Sequence, residues 1–104
     1  MTIIALVDDE HSIRTSVSLA LESEGFKVEV FQNGLEALEA FSKKQYDLGL
    51  FDIKMPKMDG NELLSKIRTS KIESLREMPI IFLTSKDQEQ DEIIGLRMGA
   101  ADYI

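Results

Sequence analysis

Short apolar runs and four-residue apolar stripes alternate along this chain, and each pattern marks a different kind of element. Residues 3–7, Ile-Ile-Ala-Leu-Val, form an unbroken apolar run, the mark of a strand covered on both faces. Ile13, Val17 and Leu21 then recur at every fourth residue, with Ala20 beside them, which defines one face of a helix. Gly25 follows and suits the left-handed position that closes a helix. Phe26, Val28 and Val30 alternate with Lys27 and Glu29, giving a second strand. Asn33-Gly34 reads as a turn. Leu35, Leu38 and Phe41, with Ala37 and Ala40, give a second helix that fades in Ser42-Lys43-Lys44.

The third apolar run, residues 48–51, stops abruptly at Asp52. A proline and the pair Asp59-Gly60 come next, then a stripe of Leu63, Leu64 and Ile67 for a third helix. Residues 69–78 are polar and mixed, so most of this stretch is expected to be a loop. Residues 79–83, Pro-Ile-Ile-Phe-Leu, give a fourth strand with its proline at the tolerated first position. Residues 87–98 give a further helix, weakened by Gly95 and closed by Gly99, and residues 101–104 begin a fifth strand.

Strands alternating with helices specify an α/β domain with a parallel sheet and helices on both faces. Right-handed crossovers leave few topologies, and five strands suit the flavodoxin-like, doubly wound order 2-1-3-4-5. In that order strands one and three are neighbours at the switch point, where ligands bind. Asp8 and Asp9 follow strand one, Asp52 ends strand three, and Thr84 ends strand four. One sheet edge therefore gathers three carboxylates and a hydroxyl.

Composition narrows what that edge can serve. The 104 residues suit one globular domain, without cysteines for disulfides or thiolate metal sites. No apolar run approaches the ~20 residues of a membrane span. Residues 1–7 carry no basic region, so no signal peptide is expected and the chain reads as cytoplasmic. The net charge of −7 disfavours direct nucleic-acid binding by this segment, because that affinity comes largely from Lys and Arg.

Crowded carboxylates repel one another unless a cation neutralises them. Mg2+ fits such a site, since it takes oxygen ligands and usually one or two carboxylates beside a phosphate. His11 reads as a surface histidine, because Mg2+ disfavours nitrogen. An aspartate can also attack phosphorus and become an acyl phosphate, and phosphoryl transfer asks the protein chiefly for positioning and charge neutralisation. Each residue has a plainer reading as well. Asp8 or Asp9 could cap the first helix, Asp59 the third, and Thr84 or Ser85 the next. Their convergence on one edge favours the chemical reading over chance.

The runs Leu6-Val7-Asp8-Asp9-Glu10, Asp52-Ile53-Lys54-Met55-Pro56-Lys57-Met58-Asp59-Gly60, Leu83-Thr84-Ser85-Lys86 and Gly99-Ala100-Ala101-Asp102-Tyr103-Ile104 resemble, in order and register, the receiver domain of two-component response regulators. The wording after Asp52 is similar to receivers fused to a winged-helix DNA-binding domain. The resemblance implies that residues 1–104 are one receiver domain, and that Asp52 accepts a phosphoryl group from the histidine of a sensor kinase. It implies Mg2+ on Asp9, Asp52 and the backbone carbonyl of Lys54, with Asp8 acting through water. Thr84 would be the switch hydroxyl and Tyr103 the switch aromatic, although Tyr103 alone would read as a half-buried tyrosine. It implies kinase docking on the exposed face of the first helix, at Arg14, Thr15, Ser18 and Glu22, and control of transcription through a domain not present here.

The family pattern places a lysine two residues beyond Ile104 and then a fifth helix, whereas the sequence stops at Ile104. A chain ending there is expected to couple phosphorylation weakly to Tyr103, and to self-associate as a homodimer through the uncovered apolar face. A different class of function stays open at this level, a Mg2+-dependent phosphohydrolase with an aspartyl nucleophile. Such hydrolases usually carry a second aspartate two residues on, where this chain has Lys54. A flavodoxin-like cofactor binder would need hydroxyl and glycine residues where this chain has Asp8-Asp9-Glu10. The switch is the favoured reading, with no catalytic turnover beyond its own phosphorylation and dephosphorylation.

Overall fold

β1 (Ile3–Val7) lies at the middle of the sheet, between β2 (Lys27–Phe31) and β3 (Leu48–Asp52), and β4 (Ile80–Leu83) extends the sheet beyond β3. Every pairing is parallel, and the order 2-1-3-4 is the one expected. The computed structural model describes residues 1–83 and the backbone of Asp102 and Tyr103. That two-residue segment, β5 (Asp102–Tyr103), pairs in parallel with Ile81 and Phe82 of β4. The helix expected over residues 87–98, the Thr84 hydroxyl and the Tyr103 side chain lie outside the described residues.

The helices α1 (His11–Ser23), α2 (Gly34–Phe41), α3 (Gly60–Arg68) and α4 (Glu73–Arg76) complete the described fold. The alternation of side chains along each strand sends them to two cores. Ala5, Val7, Phe51, Ile80 and Phe82 face Ala37 and Phe41 of α2 and Leu63, Leu64 and Ile67 of α3. Ile4, Leu6 and Leu50 face Val17 and Leu21 of α1. Phe51 and Phe82 are fully buried with ring centroids 6.4 Å apart, and each contributes on the order of 2–3 kcal/mol by leaving water. These two residues immediately precede the ends of β3 and β4, so the strand edge rests on fully buried aromatic rings.

β2 departs from the alternation expected of it. Val30 is exposed, while Phe31 packs with Phe41 and Tyr46 edge to face. β2 is an edge strand, and Val30 lies beside an open groove with His11, Arg14, Thr15 and Ser18 of α1 rather than beneath the helix. Glu29 is likewise half-buried, accepting a hydrogen bond from Tyr46 Oη at 2.7 Å and pairing with Lys44.

Asn33-Gly34 is not a free turn but the start of α2. Asn33 caps the helix by accepting from Glu36 N at 2.9 Å, and its amide donates back to the Glu36 carboxylate at 3.1 Å, a reciprocal capping arrangement. Gly25 has φ +94 after α1, the left-handed closing conformation expected of it. The stretch expected as loop contains the single helical turn α4. Leu75 of that turn packs on the core. Arg68 donates to the carbonyls of Arg76 (3.0 Å) and Met78 (2.8 Å), which folds the connector back against the end of α3.

Candidate metal centre

The register of the sheet assembles the site. Val7 is paired with Phe51, so the next residues along, Asp8 and Asp52, stand side by side where the strands end. Asp52 is in turn level with Leu83, the residue before Thr84. Asp8, Asp9 and Asp52 each offer a carboxylate oxygen, and the three atoms lie within 4.8 Å of one another. Asp8 is buried, Asp52 half-buried and Asp9 exposed, so the cluster grades from the sheet outward to solvent.

Neither Asp8 nor Asp9 caps α1. The N-cap is Glu10, whose side chain makes no capping bond. The Asp8 carboxylate instead accepts from Glu10 N at 2.9 Å, which tightens the bend between β1 and α1. Asp59 does cap α3, accepting from Glu62 N at 2.8 Å.

The loop from β3 to α3 is fixed at several points. Met55 and Met58 are buried in the core. The Met58 N–H donates to the Pro56 carbonyl at 2.7 Å around Lys57, which has φ 69. That is a γ-turn with positive φ at its centre, a rare and strained conformation that persists only when its surroundings enforce it. Gly60 N–H donates to the Ile53 carbonyl at 2.6 Å. A Cβ on Gly60 would meet the Asp52 carbonyl oxygen at 2.5 Å and Ile53 Cα at 2.9 Å. Only glycine lets α3 begin this close to Asp52. The sequence pattern offers Asp59 as a cap but does not disclose this packing, whose signal is the abrupt change from strand to helix within so few residues.

Electrostatics mark Asp52 most strongly. Burial, then the neighbouring Asp8 and Asp9 charges and a hydrogen bond shared with Asp9, push its carboxyl up to about 7, against a smaller opposing pull from Ile53 N–H. Burial also raises the Asp8 carboxyl. The donor set is all oxygen. An open cleft of about 480 Å3, lined by Asp9, Ile53, Lys54, Met55, Pro56 and Asp59, adjoins it with room for bound water. Hard oxygen donors with space for water fit Mg2+.

The residues expected on one docking face do not share one environment. Thr15 and Glu22 are exposed on α1, as expected. Arg14 and Ser18 are half-buried. Ser18 Oγ donates to the Arg14 carbonyl at 2.5 Å, and Arg14 Nη1 donates to the Asp8 carbonyl at 2.7 Å.

Strand order, layering and an acidic pocket at the switch point define a flavodoxin-like parallel α/β domain with a cation-ready edge. The model of the response regulator receiver domain matches residues 4–104, and the chain belongs to that family. It is 40% identical over 101 residues to the transcriptional regulatory protein PcoR of Escherichia coli, covering 97% of this chain but 43% of that one; the chain thus spans under half the length of this relative. The chemotaxis protein CheY4 of Vibrio cholerae superposes with a TM-score of 0.89 at 32% identity, over 100% of this chain and 85% of that one. The receiver domain of sensor histidine kinase PA1611 from Pseudomonas aeruginosa, solved with a magnesium ion coordinated in its active site cleft, superposes with a TM-score of 0.88 at 31% identity, over 99% of this chain and 83% of that one.

Proposed function

We propose that this receiver is a phosphorylation switch in which Asp52 accepts the phosphoryl group of a sensor kinase's phosphohistidine. The observation that carries the reading is the meeting of Asp8, Asp9 and Asp52 at the end of β3, with ligand atoms within 4.8 Å. An Asp52 carboxylate oxygen attacks phosphorus, the P–O bond forms as the P–N bond to the kinase histidine breaks, and the imidazole nitrogen takes up a proton. Asp9, Asp52 and the Lys54 carbonyl would hold Mg2+, with Asp8 acting through water. Bound there, Mg2+ neutralises the nucleophile's neighbours and the incoming phosphoryl oxygens. Burial, and after it the Asp8 and Asp9 charges, raises the Asp52 carboxyl to about 7, and a cation held there would favour its charged, nucleophilic form.

Thr84 as switch hydroxyl and Tyr103 as switch aromatic, on a fifth strand longer than the two residues of β5, belong to this reading by the family's pattern. Kinase docking on α1 at Arg14, Thr15, Ser18 and Glu22, cytoplasmic location, homodimer formation and transcriptional output through a further domain belong to it in the same way. Lys54 stands where a phosphohydrolase would carry its second carboxylate, which disfavours the hydrolase alternative.

Incubation with a small phosphodonor and Mg2+, followed by intact mass, tests the chemistry. The parent chain gains one phosphoryl group, which is lost at alkaline pH as acyl phosphates are, and Asp52→Asn gains none. Equal uptake by Asp52→Asn would place the acceptor elsewhere.

A further inference from the structure

We propose that Arg14 is a positioning residue for the Mg2+ site, acting through the main-chain carbonyl of Asp8. The inference rests on the receiver reading and adds a residue to it. Arg14 lies one turn into α1, and its Nη1 reaches back to the Asp8 oxygen at 2.7 Å. That oxygen belongs to the peptide joining Asp8 to Asp9. A peptide unit is planar, so holding its oxygen sets the plane from which both carboxylates project.

The other ties on this bend do different work. Asp8 N–H is bonded to the Phe31 carbonyl at 3.1 Å, which secures the end of the strand but leaves the next peptide free to rotate. Glu10 N–H is bonded to Asp8 Oδ1 at 2.9 Å, which draws on a carboxylate rather than fixing the backbone beneath it. Arg14 braces the bend from the helix. The helix also holds Arg14 in turn, through Ser18 Oγ on the Arg14 carbonyl at 2.5 Å, and its side chain forms a wall of a shallow groove with His11, Thr15, Ser18 and Val30.

Two effects of the guanidinium oppose each other, and the experiment separates them by sign. As a nearby positive charge it disfavours a cation. As a brace it preorganises two ligands. If charge dominates, Arg14→Ala binds Mg2+ more tightly; if positioning dominates, it binds more weakly. Loss of a group that orients metal ligands typically costs ~10–100-fold in affinity. Here the hold is on backbone rather than on a ligating atom, so the expected loss is about three- to ten-fold.

The test is calorimetric titration of Mg2+ into the parent, Arg14→Ala, Arg14→Lys and Ser16→Gly, below the melting temperature of each. Ser16 is exposed on α1, and glycine there weakens the helix without touching the Asp8 carbonyl. Arg14→Ala weakens Mg2+ binding by about three- to ten-fold, and its phosphorylation by a small donor returns to the parental rate at saturating Mg2+. Arg14→Lys keeps the charge and the fold but loses the planar fork, and binds more weakly than the parent. Ser16→Gly binds as the parent does. Parental or tighter binding in both Arg14 variants overturns the proposal while leaving the receiver reading intact, as does equal weakening by Ser16→Gly. A parent that neither binds Mg2+ nor accepts a phosphoryl group overturns both.

Discussion

At the scale of single residues, Asp52 is where position becomes chemistry. Without a cation its carboxyl is pushed up to about 7 from 3.8, first by burial and then by Asp8 and Asp9. Between those two values the folded chain holds a proton that the unfolded chain has released. Stability therefore falls as pH rises through that window and levels off above it. Asp8, raised chiefly by burial, adds in the same sense. At ~1.4 kcal/mol per pKa unit the full shift would amount to ~4.5 kcal/mol, and solvent screening at this half-exposed edge reduces the loss attributable to Asp52 to the order of 2–4 kcal/mol. Urea melts of the metal-free chain at about pH 5 and about pH 8 will show the lower midpoint at the higher pH. Asp52→Asn, neutral throughout, will lose most of that difference. An unchanged slope in Asp52→Asn would mean that another group is responsible.

At the scale of elements, the connector between α3 and β4 is held by Arg68, whose guanidinium serves two carbonyls at once. Arg68→Ala should cost about 1–2 kcal/mol, since one partly buried and one exposed acceptor lose a charged donor. Amide exchange should accelerate at Arg76, Glu77 and Met78, whose N–H groups close the turn of α4, while Mg2+ binding at the far end of the sheet stays as it was. If those amides exchange at the parental rate, Leu75 alone holds the turn. The connector also shows what a sequence discloses. The strands β1, β3 and β4 and the helices α1 and α3 were legible because burial imposes a period, and three or four apolar residues declare it. α4 was not, since one turn presents a single core-facing residue, the half-buried Leu75, and carries no period. β2 was legible as a strand, but its alternation misstates burial, because an edge strand has a core under Phe31 and little to cover Val30. The carboxylates of the site could be placed from strand ends and topology alone. Arg14 could not: periodicity fixes which face a residue occupies but not where a long side chain reaches, and its partner is a backbone carbonyl that carries no side-chain signal.

At the scale of the whole molecule, the fold trades stability for a poised site. The sheet is secured by a continuous core through Phe51 and Phe82, and that core supports a cluster of like charges within a chain of net charge −7. A ligand that binds only the folded state returns the lost stability by mass action, about 2.7 kcal/mol at a hundred-fold excess over its dissociation constant. For a domain of this size 1 kcal/mol moves the melting temperature by roughly 4–8 °C, so saturating Mg2+ should raise it by roughly ten degrees or more. Asp9→Ala removes an expected ligand and a repelling charge together. The variant should therefore melt at or above the parent when both are metal-free, and should fail to respond to Mg2+. Sodium chloride at matched ionic strength controls for screening of the surface charge, which would shift parent and variant alike. Melting curves of the two chains across a Mg2+ series decide the matter: parallel rises would assign the stabilisation to general screening, and a rise in the parent alone would assign it to a cation held at Asp9.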